Sequence, residues 1–233
     1  MGHMKIRIIA LFFFAIFAAP SLALGQSEAY RVAMEGLNRE LATVKAPAAP
    51  KAKKSPKDTA AALADMANRD QIVRNHYFGP QPTLEDSKAI AAATDRIGLS
   101  IQVENTSLLN QLIPKEGWFK RSVFGDQASR DAMLILMHSD DDTQGRYIAN
   151  ITKLARSGEV FAEDYIILYD KIQKSHGKPQ KFGSQVTCSK GIWSAWPLED
   201  EKKVDAFRKA YGVNSTYAEY IKRTPAGHPC GSH

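Results

Sequence analysis

The chain has 233 residues, 44% of them hydrophobic and 24% charged, the proportions of an ordinary globular protein. With 2 cysteines, 15 glycines and 11 prolines, it is not a wholly disordered chain, a collagen or a disulfide-dense miniprotein. Thirty-one Lys and Arg against 25 Asp and Glu leave a net charge of +6, and basic residues are not interleaved with aromatics, which argues against a nucleic-acid partner.

The first 25 residues read as an address. Lys5 and Arg7 make a short positive region, Ile8 to Ala19 is an apolar run of 12, Pro20 breaks it, and Ala23-Leu24-Gly25 places small residues before Gln26. This is the pattern of a cleavable signal peptide spanning 1–25, and the apolar run is too short for a stable membrane span. An uncleaved anchor is the competing reading. No cysteine stands near the cut, so a lipid anchor is not expected. Removing Lys5 and Arg7 lowers the net charge to +4. The expected location is periplasmic or secreted. An oxidising compartment favours a bridge between Cys188 and Cys230. The rival use of Cys230 is a soft metal site in the tail with His228 and His233.

Residues 26–44 carry apolar positions at Tyr30, Ala33, Met34, Leu37, Leu41 and Val44, a helical spacing. Residues 45–58 follow with three prolines, five lysines and no large apolar side chain, a solvated linker that has too little to bury. It sets the first helix apart from a main domain over 59–233. The detached helix and basic linker are candidates for docking on that domain or for weak attraction to an envelope partner.

Within the main domain the periodicity predicts a helix from Thr59 to Tyr77. A long one follows, capped by Thr83 and ended by Pro114, then helices over Gly125 to Met137, Gln144 to Arg156 and Ala162 to Ser175. Leu198 to Tyr211 and Ser215 to Lys222 complete the set, with one short extended piece between Gln185 and Trp196. The expected class is all-α, a bundle-like single domain with a loop-rich C-terminal part.

Chemistry concentrates in two places. His138-Ser139-Asp140-Asp141-Asp142 sits between two helices. His138 there can serve as a general base oriented by Asp140 or Asp142, or His138, Asp140 and Asp142 can hold a cation. The same acids can equally cap a helix. The second place is Gly177 to Gln185, where Gly183 permits close backbone approach and Gln180 and Gln185 both donate and accept. Those amides can bind a ligand or satisfy the loop's own backbone. Asp70 and Arg74, four apart on one helix, form an ion pair able to hold an anion. Trp118, Trp193 and Trp196 read as packing. No dinucleotide fingerprint, phosphate loop, zinc-protease motif or nucleophile elbow occurs, and no cofactor is expected.

Several segments together resemble an uncharacterised bacterial domain family of unknown function. They are Leu63 to Arg74, Glu104-Asn105, Gly117-Trp118, Gly125 to Ala128, His138-x-Asp140-x-Asp142, Gly177 to Gln185, Pro197 to Asp200 and Tyr217 to Tyr220. The resemblance covers roughly residues 62–221 and supplies no activity. It implies a shared site at His138, Asp140, Asp142, Gln180, Gly183 and Gln185. Where the family tends to place glutamine eight positions after the histidine, this chain has Arg146. Three expectations result: a hydrolase-like or small-molecule or peptide-binding site, with Asp70, Arg74 and Asn105 among the ligand contacts; a non-catalytic envelope module; or a metal-binding domain.

Overall fold

The computed structural model describes residues 27–46, 55–77 and 83–230. The expected signal peptide lies outside the described residues, as does most of the linker. Among the described residues, helices dominate: α1 Glu28–Thr43, α2 Pro56–Tyr77, α3 Leu84–Leu112, α4 Arg121–Phe124, α5 Asp126–Met137, α6 Asp141–Arg156 and α7 Ala162–Ser175. A hairpin of β1 Val186–Ser189 and β2 Ile192–Ala195 precedes the short helices α8 Val204–Ala210 and α9 Tyr217–Ile221. The all-α class holds.

The boundaries follow local chemistry. Thr83 caps α3 by accepting from the Asp86 N–H at 3.0 Å. Ser55 accepts from the Asp58 N–H at 3.1 Å and Pro56 opens α2, so that helix starts three residues before the expected Thr59. Pro is favoured in the first helical position because its missing N–H has no partner there anyway. The expected helix from Leu198 is shortened to begin at Val204. The preceding segment is instead paired: the Gln180 N–H donates to Pro197 O at 2.8 Å and the Glu199 N–H to Gln180 O at 2.7 Å.

The main core gathers Leu63 and Met66 of α2, Leu109 of α3, Met133 and Leu136 of α5, Ile151 of α6 and Tyr165 of α7 around Trp118, Phe119 and Phe182, all nearly inaccessible to solvent. α1 docks on α2 and α3 through a smaller cluster in which Leu37 is buried against Val73 and Ile101. The helix that the linker separates in sequence is thus packed against the domain.

Cys188 and Cys230 form a disulfide with Cα atoms 5.8 Å apart. Around it the tail is paired with the hairpin: the Trp193 N–H donates to His228 O at 2.9 Å, and the Cys230 N–H to Gly191 O at 2.9 Å. The Cys230 sulfur is therefore unavailable to a metal, which removes the soft tail site from consideration.

Candidate functional site

The polar centre forms where the middle of α2 meets the end of α5. Asp70 is 6% exposed, deep for a carboxylate. Its Oδ2 lies 2.8 Å from His138 Nδ1, 68 positions away in sequence, and accepts from Arg74 Nε at 2.9 Å and Gln71 Nε2 at 2.9 Å. Burial raises the Asp70 pKa, but the hydrogen bonds and charges of His138 and Arg74 outweigh it and hold the carboxyl below its ordinary value. An ionised Asp70 can only accept. His138 Nδ1 therefore carries the proton, and Nε2 keeps its lone pair whenever the ring is neutral.

His138 is the C-terminal cap of α5, and the turn that carries it is held from several sides. Ser139 Oγ donates to Leu136 O at 2.8 Å, and buried Gln144 donates to Ser139 O at 2.7 Å. Lys171 of α7 donates from Nζ to the Met137 carbonyl. Burial pushes the Lys171 amine below its ordinary pKa; Asp141 acts against the shift and Arg74 adds to it. Two cations, Arg74 bonded to Asp70 and Lys171 bonded to the Met137 carbonyl, thus sense each other around this turn. Lys171 escaped the sequence reading because a lysine in a helix is normally solvated; only its place next to Ile172 in an apolar stretch hinted at burial.

The other expected residues are distributed as follows. Asp140 is the N-cap of α6, with Oδ1 accepting from the Thr143 N–H at 2.8 Å and Oδ2 from Thr143 Oγ1 at 2.9 Å. Those bonds lower its pKa. Asp142 is exposed in the first turn of α6. The orienting acid beside His138 is Asp70, and among the described residues no group of three or more His, Cys, Asp or Glu is placed to hold a metal. Asn105 donates to Met66 O at 3.1 Å, one helical turn from Asp70, and among the described residues its buried Oδ1 has no hydrogen-bond partner.

The glycine loop forms a clasp of its own. Gln180 is fully buried; it donates to Gln185 O at 3.0 Å and Trp196 O at 2.6 Å and accepts from the Gln185 N–H at 2.7 Å. Gln185 donates to Ile167 O at 3.3 Å, one turn of α7 before Lys171. Gly183 has φ +72°, and a Cβ there would collide with the Tyr217 ring. The loop is anchored by Asp170, which sequence reasoning missed. Its carboxylate accepts from the N–H groups of Lys181, Phe182 and Ser184 at 2.8, 3.1 and 2.9 Å. No hydrogen bond joins Gln180 or Gln185 to the Asp70–His138 pair.

A cleft of about 310 Å³ opens between α2 and α3, with Asp70 and Arg74 on one wall and Thr94, Asp95 and Gln102 opposite. Gly98 of α3 faces α2 there, where a Cβ would meet Val73 Cγ1 at 3.4 Å, an ordinary packing distance.

Residues 57–226 match the model of DUF6624, a family of unknown function. No curated protein and no solved structure matches the chain.

Proposed function

We propose that this chain, which belongs to DUF6624, a family of unknown function, is a hydrolytic domain that activates water at the Asp70–His138 pair. The observation that carries the reading is the 2.8 Å contact between His138 Nδ1 and an Asp70 that is 6% exposed. A buried carboxylate bonded to one ring nitrogen fixes the tautomer and orientation of the other, the arrangement a general base requires. His138 Nε2 takes a proton from water as the water oxygen bonds to a carbonyl or phosphoryl centre, Asp70 stabilises the imidazolium that results, and the imidazolium returns that proton to the leaving oxygen or nitrogen as its bond to the centre breaks. Arg74 and Lys171 offset the negative charge that develops on the substrate oxygen. Their presence selects an anionic or ester-bearing small molecule or peptide. The clasp around Gln180, Gly183 and Gln185 shapes the wall of α7 that carries Lys171.

Export is part of the same proposal. It is supported by the 1–25 pattern and by the Cys188–Cys230 bridge, which suits an oxidising compartment. No described helix is long and apolar enough to cross a membrane.

The test measures hydrolysis of p-nitrophenyl acetate, p-nitrophenyl butyrate, bis-p-nitrophenyl phosphate and a chromogenic peptide amide by the wild type, His138→Ala and Asp70→Asn, alongside the melting temperature of each. The expected result is turnover of at least one substrate, reduced about 10²–10⁴-fold in His138→Ala, with that variant still cooperatively folded at the assay temperature. Absence of turnover across the panel, or equal turnover by wild type and His138→Ala, overturns the hydrolytic reading.

A further inference from the structure

A second enclosure lies apart from the Asp70–His138 pair and shares no lining residue with the α2–α3 cleft. It has a volume of about 470 Å³ and opens between α7 and the segment running from α8 to α9. Ile166 and Ile167 form its apolar side, while Arg208, Ser215, Tyr220 and Arg223 form the other.

Arg208 is the unusual member. It is 1% exposed, and arginine is seldom buried without an acid beside it. Its Nε donates to Ser215 O at 2.8 Å, one terminal nitrogen to Phe182 O at 2.8 Å and the other to Ser215 Oγ at 2.9 Å. All three acceptors are neutral, and a guanidinium has five N–H groups, so two have no partner among the described residues. Among the described residues no carboxylate reaches Arg208 at ion-pair distance. Asp170 acts on it from across the Phe182 peptide, whose N–H donates to Asp170 and whose carbonyl accepts from Arg208. Asp205 also contributes, and so does Arg223, with the opposite sign. The guanidinium carbons of Arg208 and Arg223 lie 5.0 and 5.9 Å from the centre of the Tyr220 ring. Two cations thus lie near one aromatic ring beside an isoleucine surface. Glu163 supplies the acid in the lining.

We propose that this cavity binds a small organic carboxylate with an apolar body. The carboxylate bonds the exposed guanidinium of Arg223 and lies in the positive field of the nearly inaccessible Arg208 behind it. The hydrocarbon lies on Ile166, Ile167 and the Tyr220 ring. Planar two-point recognition of a carboxylate is what a guanidinium does best. A cavity that is mostly apolar with a few convergent polar groups, within the range of about 300–1,000 Å³, is the ordinary form of a small-molecule site.

Titration calorimetry of the full chain with octanoate and with octanamide tests this. The two probes have nearly the same shape and differ in charge. Octanoate is expected to bind saturably, and octanamide about tenfold or more weakly, the ratio a charge-assisted guanidinium bond implies. Arg208→Gln also removes the bonds to Phe182 and Ser215 and so disturbs the fold. Arg223→Gln, at an exposed position, carries the test and should weaken octanoate severalfold at unchanged melting temperature. Glu163→Gln should leave octanoate binding equal or tighter, because an acid is removed from the lining. No saturable heat, equal affinity for the two probes, unchanged affinity in Arg223→Gln, or weaker binding in Glu163→Gln would each overturn the proposal.

Discussion

Asp70 stays ionised despite its burial because three donors converge on Oδ2: His138, Arg74 and Gln71. That has a consequence for stability as well as for chemistry. Its folded pKa is held below the ordinary value by His138 and Arg74, against the effect of burial. The folded state therefore binds fewer protons at this site than the unfolded chain, whose value is near 3.9. The stability Asp70 contributes is fully present above about pH 5 and is lost as the pH falls through the folded value. Asp70→Asn keeps the shape and removes the charge. It should lower stability by about 1–3 kcal/mol near neutral pH, with a difference from wild type that shrinks below about pH 4. Thermal melts of both proteins from pH 2 to 7 give the comparison, and a difference independent of pH would contradict the assignment. His138→Ala strips Asp70 of the strongest of these bonds and should cost a comparable amount, about 1–3 kcal/mol, while activity falls far more than that loss of stability explains.

The glycine loop belongs to the scale of the element. Its amides were legible as groups able to bind something, and the burial of Phe182 and Ser184 decides what. A loop pressed onto α7 must find partners for its own N–H and carbonyl groups; Gln180 and Asp170 supply them, while Gln185 ties the loop to the Ile167 carbonyl of α7. Gly183→Ala tests the clasp. The new methyl meets the Tyr217 ring at a φ of +72°, where side chains are disfavoured by about 1–2 kcal/mol before any collision is counted. A loss of about 2–4 kcal/mol follows, seen as a melting temperature about 5–15 °C lower; an unchanged transition would show that the loop adjusts freely. α1 offers a second check. Leu37 is fully buried against Val73 and Ile101, so Leu37→Ala should cost about 2–5 kcal/mol if α1 melts with the domain. A shift confined to low-temperature loss of helix signal would mean that α1 undocks alone. Helix existence and most ends could be read from spacing and caps, as at Thr83. The shortened α8 could not, because Pro197 and Glu199 pair with Gln180, a contact invisible in a local pattern.

At the scale of the whole molecule, the site is assembled by contacts that no sequence window contains. Asp70 and Arg74 were visible as an i,i+4 pair and His138 as an interhelical histidine. Their junction depends on α2 packing against α5, and Lys171 joins only because α7 runs past the same turn. Arg208 likewise acquires meaning from the carbonyl of Phe182, 26 positions earlier. The bridge between Cys188 and Cys230 could be anticipated, since there are two cysteines and an expected oxidising compartment. It spans 42 positions and encloses the hairpin turn, β2, α8, α9 and Arg208. In the chain-entropy account, closing a loop of that length stabilises the fold by about 4 kcal/mol, chiefly by restricting the unfolded chain. Cys188→Ser with Cys230→Ser should therefore lower the melting temperature by about 8–16 °C. Wild type in dithiothreitol should melt at the same lowered temperature. The hairpin–tail hydrogen bonds do not depend on the sulfurs, so the reduced protein should keep the helical content measured by far-ultraviolet circular dichroism at 25 °C. If reduction leaves the transition in place, the bridge restrains nothing that the hairpin pairing does not already hold. If it abolishes the helical signal, the C-terminal part is a condition for the core.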